Sequence, residues 1–540
     1  MKLDFVKSTG TFTLAVPRDE ESPKEIMREQ GWNWWQAGST PDAAILTSRE
    51  PYAAAYYADH ATEKALDVLK HILDPISSSW QDKSDAHIAC PIDQELMPFQ
   101  KASVSYALKR QNCLIGDQPG LGKTPIAICY ANEIQAKRVL VICPASIRRQ
   151  WVERIRTWTT LTYPYVVYAI ESGRHGVHPT AAWTVVSYEL ARTEAIGKAL
   201  AKGQYDLLIL DEAHYLKTID TARTRAVFGG GEKHLFEPLA SRCERVLALT
   251  GTPLPNRPRE AYTLARNLCW DSIDWMSEDK FKIRFNPSAR ELGKRADGST
   301  YMYTKERIGR SGELQSRLRA NFMVRHLKRD VLPQLKLPVY DIVRVEETGP
   351  VKQALKAERL LDIDPEMIET GDAEILGHIA AVRKIMGVAI ASQVAEYAEM
   401  LLLGGEEKIV IFAWHVAVLD IIQEKLSKYG VQRVDGSTTA AQKKARISQF
   451  CSDADTHFMI GNILSLGTGT DGLQEVSAHV LLAEPEWVPG NNEQAIDRLD
   501  RIGQKRTVQA DLFVAPGSLL ERILASALRK AQSNHKVLDG

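Results

Sequence analysis

Zinc-binding patterns, targeting segments and low-complexity tracts are absent from this sequence. Its seven cysteines form no C-x-x-C pair and no Cys/His group at zinc spacing, which predicts reduced thiols in a cytosol-like compartment. The N-terminus lacks the uninterrupted apolar segment of a signal peptide, and no run approaches the length of a membrane span. These absences predict a soluble intracellular protein without a zinc finger.

A net charge is also absent, because 68 Lys and Arg residues balance 68 Asp and Glu residues. The distribution is uneven, however. Residues 280–336 hold fifteen basic residues against five acidic ones. Such a local surplus is typical of a surface that attracts nucleic-acid phosphates, although a solvated basic face is the alternative.

The length of 540 residues exceeds what one hydrophobic core supports and predicts about three or four domains. Hydrophobic residues at 44% and charged residues at 25% are ordinary for a globular protein. Composition therefore points to no special class, and the motifs must indicate the function.

The stretch "GDQPGLGKT" (116–124) resembles a phosphate-binding loop, except that the strict pattern has glycine where this chain has Asp117. Gly120 and Gly122 allow the backbone N–H groups to face phosphate oxygens. Lys123 reaches the terminal phosphates, and the Thr124 hydroxyl ligates Mg²⁺. A strand-like segment before the loop and a helix-like segment after it place phosphate at a helix N-terminus.

Three later segments supply what a nucleotide site also needs. The apolar run "YDLLILDEAH" ends in Asp211, which is expected to hold Mg²⁺, and Glu212, which is expected to orient and deprotonate the attacking water. "LTGTP" carries hydroxyls that can couple the phosphate state to domain movement. "EQAIDRLDRIGQ" places Arg498 and Arg501 on one helical face, where they can neutralise the transferring phosphate.

In order, these segments resemble the motifs of superfamily-two helicases, specifically the Swi/Snf-type DNA translocases. "LMPFQKASV", "VICPASIRRQW", "KIVIFAWH" and "ILSLGTGTDGLQ" complete the set, which covers residues from about 92 to 530. "RHLKRDVLPQLKLP" and "AEPEWVPGNNEQAIDRLDRIGQ" are similar to annealing helicases of the SMARCAL type. Gln118-Pro119 replaces the family's Glu-Met, and "GTGTDG" departs from its usual second-lobe motif.

The resemblance implies a set of nucleotide and DNA contacts. Nucleotide contacts are expected from Gln100, Asp117, Gln118, Pro119, Gly120, Leu121, Gly122, Lys123, Thr124 and Gly472. Sequence-independent DNA contacts are expected from Ser146, Arg148, Ser187, Arg325, Lys328, Arg329, His415 and Thr468. The implied cofactors are ATP and Mg²⁺, and the implied partner of this monomeric motor is double-stranded or forked DNA.

The expected fold class is α/β, with two RecA-like lobes built on parallel sheets, a helical insertion between them and a small N-terminal α/β module. The division is 1–90 for the module, which is weakly similar to a HARP module, 91–256 for lobe one, 257–345 for a helical basic insertion, and 346–540 for lobe two. Trp32, Trp34 and Trp35 of the module are either core residues or DNA-stacking residues.

Three functions compete. A DNA-dependent ATPase that remodels or reanneals duplex and forked DNA is favoured over a DEAH-type unwinding helicase and over a scaffold that binds nucleotide without hydrolysis. Stripping of bound protein and defence also use such motors. The expected location is the cytoplasm or nucleoid of a prokaryotic or viral system, or the nucleus if the source is eukaryotic.

Overall fold

The computed structural model of the 540-residue chain describes residues 1–18, 23–161, 165–230, 235–294, 300–361, 373–467 and 471–539. The described strands form three larger sheets and one separate hairpin.

The N-terminal module is a four-stranded antiparallel sheet in the order β1-β2-β4-β3, covered by helices. Its elements are β1 (Lys2–Val6), β2 (Thr11–Pro17), α1 (Pro23–Gln30), β3 (Asn33–Trp34), β4 (Ala43–Ser48), α2 (Pro51–Ala55) and α3 (Glu63–Trp80). Alternating buried residues in β2 and β4 show that the sheet has one covered face. Trp32 lies in this core at 2% exposure, whereas Trp34 and Trp35 are 44% and 49% exposed.

Lobe one contains a seven-stranded parallel sheet in the order β13-β5-β10-β9-β6-β8-β7. Its elements up to the sixth strand are α4 (Pro98–Leu108), β5 (Asn112–Ile115), α5 (Lys123–Glu133), β6 (Val139–Cys143), α6 (Arg148–Trp158), β7 (Val167–Ile170), β8 (Trp183–Ser187), α7 (Tyr188–Ala191), α8 (Glu194–Ala201), β9 (Tyr205–Asp211), α9 (Ala222–Phe228) and β10 (Cys243–Leu249). Every residue of β6 and β8 is buried, as expected for strands covered on both faces.

Residues 257–345, predicted as a helical insertion, combine helices with strands that pair in both lobe sheets. They contain α10 (Ala261–Leu268), α11 (Glu278–Phe285), the hairpin β11 (Ser288–Lys294) and β12 (Thr300–Glu306), α12 (Ser311–Asn321), β13 (Met323–Val324), α13 (Lys328–Val331) and β14 (Val339–Arg344). β13 pairs with β5 in lobe one, and β14 pairs with the last strand of the lobe-two sheet. Sheet pairing therefore divides this region between the two lobes.

Lobe two contains a six-stranded parallel sheet in the order β14-β19-β18-β15-β17-β16. Its remaining elements are α14 (Gly349–Leu361), α15 (Ala373–Leu403), β15 (Ile409–Ala413), α16 (Val416–Leu426), β16 (Val431–Val434), α17 (Ala440–Ser452), β17 (Phe458–Asn462), α18 (Ile463–Leu466), α19 (Leu473–Val476), β18 (His479–Leu482), α20 (Pro489–Ile496), β19 (Gln509–Val514) and α21 (Leu519–Leu538). Two parallel-sheet lobes and a small antiparallel module confirm the predicted fold class.

One helix passes the length and composition test for a membrane span, contrary to the expectation that no segment would. This stretch is Ile379–Leu403 within α15, and 39% of its most apolar 18 residues are buried. Met386, Ile390 and Val394 of this helix belong to the same buried cluster as Ile409 and Ile411 of β15. Packing on the lobe-two sheet therefore explains part of its apolar character, while Ile385, Met400 and Leu403 are exposed.

The C-terminal helix α21 begins in lobe two and ends against lobe one. Val537 and Leu538 belong to a lobe-one core cluster, and Asn534 Nδ2 donates to Leu254 O at 2.9 Å. The N-terminal module is also attached to lobe one, because Gln30 Nε2 donates to Ser311 Oγ of α12 at 2.8 Å. Both chain ends thus pack on the first lobe.

Candidate nucleotide-binding site

The loop between β5 and α5 has the backbone that its glycines predict. Gly120 and Gly122 have φ values of 84° and 76°, in the left-handed region that glycine adopts without strain. Gly122 is the N-cap residue of α5 and provides no side-chain cap, so the first N–H groups of the helix remain suited to an anion. Lys123 Nζ donates to the carbonyls of Asp117 and Gln118 at 2.8 and 3.2 Å.

Asp117, which replaces the glycine of the strict pattern, is a buried structural residue. Its Oδ1 accepts from the backbone N and from Nδ1 of His326, both at 2.9 Å, and its Oδ2 accepts from Ser103 Oγ at 3.1 Å. Burial raises the pKa of Asp117, but the His326 charge and hydrogen bonds outweigh burial and hold it below its ordinary value. The side chain therefore joins the loop to β13 and its following residues.

The other loop residues mostly support its shape. Gln118 Oε1 accepts from Lys328 N at 2.7 Å, and the buried Leu121 packs with Phe99 and Leu332. Gln100, expected to contact the base, donates from Nε2 to Leu121 O at 3.0 Å and accepts from Met97 N at 2.9 Å. Gln100 therefore positions the loop in this structure.

Asp211, the last residue of β9, and the following Glu212 lie beside this loop and have different surroundings. Asp211 Oδ2 accepts a 2.7 Å hydrogen bond from Trp151 Nε1, while Glu212 has a strained φ of 51° and pairs through Oε2 with His214 Nδ1 at 3.3 Å. Burial and the Glu212 charge raise the pKa of Asp211 to about 6. Burial also raises the pKa of Glu212, but His214, Lys123 and Arg498 outweigh it and bring the value to about 2.

These shifts indicate how the acids work. The lowered pKa of Glu212 favours its carboxylate form, which accepts hydrogen bonds and is suited to orienting a water molecule. Burial lowers the pKa of Lys123, although the nearby carboxylates of Glu212, Asp117 and Asp211 oppose the shift. A cationic loop beside a buried acid pair fits a nucleoside triphosphate, and the metal contacts expected from Thr124 and Asp211 remain predictions.

The "TGTP" turn lies between the loop and lobe two. A Cβ built on Gly251 would lie 2.4 Å from Pro119 Cγ, and one built on Gly490 of lobe two would lie 3.3 Å from Thr252 Cγ2. His214 Nδ1 is 3.0 Å from Thr250 Oγ1. This turn therefore touches the loop, the second lobe and His214, which pairs with Glu212.

Lobe two brings its arginine-bearing segment directly onto the loop. A Cβ built on Gly120 would lie 2.5 Å from Arg501 Cβ. Gln494 Nε2 donates to Glu212 Oε1 at 3.2 Å, and Arg498 Nε donates to Gln494 O at the same distance. Burial and the neighbouring Arg501 lower the pKa of Arg498 to about 10, against the raising effect of Glu212. Both lobes are thus in contact across the site.

Gly472 lies away from the contacts of the loop. It is the N-cap residue of α19 and has a φ of 99°. Its N–H donates to Asp471 Oδ1 and Gln474 Oε1. Its connection to the site runs through Asp471, whose Oδ1 is 3.5 Å from Arg501 Nη1. The expected nucleotide contact at Gly472 remains a prediction.

Three of the expected DNA contacts are buried in this structure, and their assignment as DNA contacts remains untested. Ser187 is 2% exposed and its Oγ caps α7 by accepting from Leu190 N. Arg325 pairs with Asp539 at 2.7 Å, and Lys328 pairs with Asp500 at 2.8 Å. Their side chains are committed to internal partners, so they offer no surface to a phosphate backbone.

The remaining expected DNA contacts have mixed surroundings. Ser146 is exposed, and the Arg329 side chain is 59% exposed. Arg148 donates from Nη1 to Ile170 O, and His415 Nδ1 lies 2.6 Å from Glu484 Oε1. Thr468 lies outside the described residues.

Sequence reasoning missed several polar residues of the site. They are Trp151, His214, His326, Gln494, Asp497 and Asp500. All six lie inside segments that the sequence analysis quoted, so proximity to a motif signalled these residues but not their partners. His326 had no such signal as an Asp117 partner, because 209 positions separate the two residues.

Comparison with known proteins gives consistent matches. A family described as the SNF2-related domain matches residues 50–386, and the helicase conserved C-terminal domain matches residues 392–503. The DNA annealing helicase and endonuclease ZRANB3 of Mus musculus is 30% identical over 460 residues, which cover 83% of this chain and 41% of that protein.

A second relative comes from Xenopus tropicalis. The SWI/SNF-related matrix-associated actin-dependent regulator of chromatin subfamily A-like protein 1 is 31% identical over 437 residues, covering 79% of this chain and 43% of that protein. The solved Sulfolobus solfataricus SWI2/SNF2 ATPase core in complex with dsDNA is 19% identical, with a TM-score of 0.38 over 85% of this chain and 99% of that chain. This chain spans about two fifths of the length of the two curated relatives.

Proposed function

Since the chain belongs to the SNF2-related family, with a helicase conserved C-terminal domain after it, we propose that it is a DNA-dependent ATPase that moves on double-stranded DNA. The observation that carries this proposal is the joint site: Lys123 and Glu212 of lobe one lie with Arg498 and Arg501 of lobe two at one seam. Such a composite site makes hydrolysis depend on the relative position of the lobes.

Each protein group has a distinct part in the proposed cycle. A bound Mg²⁺–ATP supplies the phosphoanhydride bond whose cleavage drives movement. The loop N–H groups and Lys123 bind the phosphates, Thr124 and Asp211 hold the metal, and Glu212 orients the attacking water. Arg498 and Arg501 neutralise charge on the phosphate when lobe two is seated, so lobe closure completes the site.

The substrate is proposed from the relatives. One of them is named as an annealing helicase, and the family match spans both lobes of this chain. We therefore propose that lobe opening and closing moves the protein along a duplex and reanneals or remodels forked DNA. The monomeric state remains a prediction.

The location of the protein is also a proposal. The two curated relatives described above come from a mouse and a frog, and they give no support to the prokaryotic or viral origin expected from the sequence. A nuclear location follows if the source is eukaryotic.

The arginines provide the direct test of the composite site. Arg501→Ala should retain ATP binding and slow hydrolysis on the order of 10³-fold, because an arginine finger acts on the transition state. Arg498→Ala should behave similarly. ATP affinity and single-turnover hydrolysis should be measured on both variants beside Arg192→Ala, which changes an exposed arginine of lobe one. Wild-type hydrolysis in both site variants would refute the composite site.

A further inference from the structure

Lys328 is a buried lysine whose ammonium group is surrounded by groups of the opposite lobe. It is 5% exposed and belongs to α13, whose preceding strand β13 pairs in lobe one. Its Nζ donates to Asp497 Oδ1, to the carbonyl of Asp500 and, at 2.8 Å, to Asp500 Oδ2. All three ammonium protons are therefore accounted for by acceptors in lobe two.

The backbone of the same residue is attached to the phosphate-binding loop. Lys328 N donates to Gln118 Oε1 at 2.7 Å, and Gln118 N donates to His326 O at 3.1 Å. Gly116 N donates to Val324 O at 2.7 Å, which continues the pairing of β13 with β5. The position of Lys328 is consequently fixed relative to the loop.

The two acids that Lys328 contacts flank the arginines of lobe two. Asp497 immediately precedes Arg498, and Asp500 immediately precedes Arg501. Asp500 Oδ1 has no hydrogen-bond partner among the residues that the structure describes. A buried carboxylate in that situation depends strongly on the cation at its other oxygen.

Two other ion pairs across the lobe seam are much more exposed. Arg154 pairs with Asp471 at 3.2 Å, and Lys444 pairs with Glu153 at 3.1 Å, with every side chain of these pairs at least 42% exposed. Water and salt screen such surface pairs, so they contribute little to holding a fixed arrangement. The buried Lys328 contacts are better placed to set the alignment at the nucleotide.

We propose that Lys328 is a positioning residue, which seats the arginine-bearing segment of lobe two on the phosphate-binding loop by binding Asp497 and Asp500. This proposal rests on the proposed ATPase function. Opening of the lobes must separate the Lys328 ammonium from both carboxylates, and closing must bring them together again. Contact of Lys328 with Asp497 and Asp500 therefore accompanies the placement of Arg498 and Arg501 at the loop.

The test compares Lys328→Met, which keeps most of the length of the side chain and removes its charge, with Lys202→Met, which changes an exposed lysine of lobe one. We expect Lys328→Met to lower kcat about tenfold or more while KM for ATP changes by less than about threefold, because the arginines act after nucleotide binding. Asp500→Asn removes the pair from the other side and should show the same separation of kcat from KM. Lys202→Met should match the wild type.

A second readout does not depend on turnover. Small-angle X-ray scattering with Mg²⁺, ADP and beryllium fluoride should show a larger radius of gyration for Lys328→Met than for the wild type. Equal radii and an equal kcat in folded Lys328→Met and Asp500→Asn would overturn the proposal. If the wild type itself fails to hydrolyse ATP, the proposed function fails, and the scattering comparison still decides the role of Lys328. If Lys328→Met does not fold, Asp500→Asn decides it by the same two readouts.

Discussion

Gly120 is the residue at which the two lobes approach most closely in the loop. An added Cβ would lie 2.5 Å from Arg501 Cβ, and the φ of 84° is unfavourable for any residue with a Cβ. We predict that Gly120→Ala prevents Arg501 from seating and reduces ATP hydrolysis by about 10²-fold or more, since even a small misplacement of a reacting group is costly. Steady-state hydrolysis and ATP affinity measure the effect.

Gly176→Ala provides the matched control, because a Cβ there meets nothing within 4 Å. The control should keep wild-type activity. If Gly120→Ala hydrolysed ATP as well as the control, the close approach of Arg501 to the loop would be irrelevant to the reaction.

At the residue scale, the sequence predicted best those groups whose role depends on local chain geometry. Gly120, Gly122 and Lys123 lie in the expected strand–loop–helix arrangement because a few consecutive residues determine it. The partners of Asp117 were not predictable, since His326 is distant in sequence. Gln100 shows the same limit, because its contact with Leu121 depends on the packing of α4 beside the loop.

At the element scale, the segment "RHLKRD" makes ion pairs and hydrogen bonds inside the protein. Arg325 is 3% exposed, pairs with Asp539, and donates from Nη1 to Gly116 O and at 3.2 Å to Gly251 O. Arg325→Met should therefore lower the free energy of unfolding by about 3–5 kcal/mol, because a buried Asp539 carboxylate loses its partner. The salt dependence of DNA binding by the Arg325→Met variant should equal that of the wild type.

Thermal melting and DNA titrations at several salt concentrations separate the two effects. A wild-type melting temperature combined with a weaker salt dependence would restore Arg325 as a DNA contact. The basic surplus suggested DNA binding because local charge counting cannot detect Asp539, which is 214 positions away.

The end of α21 predicts a pH dependence of stability. Hydrogen bonds to Asp539 and Glu493 raise the pKa of His535 from 6.5 to about 9. The protonated form is favoured by folding, so the stability that His535 contributes is complete below pH 6.5 and is lost as the pH rises through about 9.

His535→Gln should remove this contribution, and the difference in melting temperature between wild type and variant should shrink from pH 6 toward pH 10. Taking the difference cancels other groups, including Lys443, whose pKa burial lowers to about 8. A difference that stays constant over the whole range would contradict the assignment.

At the scale of the whole molecule, the order of strands and helices was the most predictable property. Buried apolar runs such as β6 and β8 and the alternating strands of the module follow from the sequence alone. The domain limits were less predictable because β13 and β14, separated by a short segment, pair in different sheets. The amino-acid pattern of neither strand differs enough from the neighbouring sequence to indicate the sheet in which the strand pairs.

The contact between the lobes is likewise a property of the whole chain. α21 starts beside the lobe-two sheet and ends in the core of lobe one, and Lys328 reaches from lobe one to Asp497 and Asp500. Such contacts make the nucleotide site sensitive to any movement of one lobe. This sensitivity is what a motor requires if DNA binding is to control hydrolysis.

ATP hydrolysis with and without nucleic acid tests the central proposal most directly. Wild type, Lys123→Ala and, as a control at an exposed lysine, Lys202→Ala should be assayed with no nucleic acid and with single-stranded DNA, duplex DNA, forked DNA and duplex RNA. We predict that duplex and forked DNA raise the wild-type and Lys202→Ala rates about tenfold or more, that RNA does not, and that Lys123→Ala shows no turnover with any of them. A wild-type rate that is indifferent to DNA, or turnover that survives in Lys123→Ala, would contradict the account.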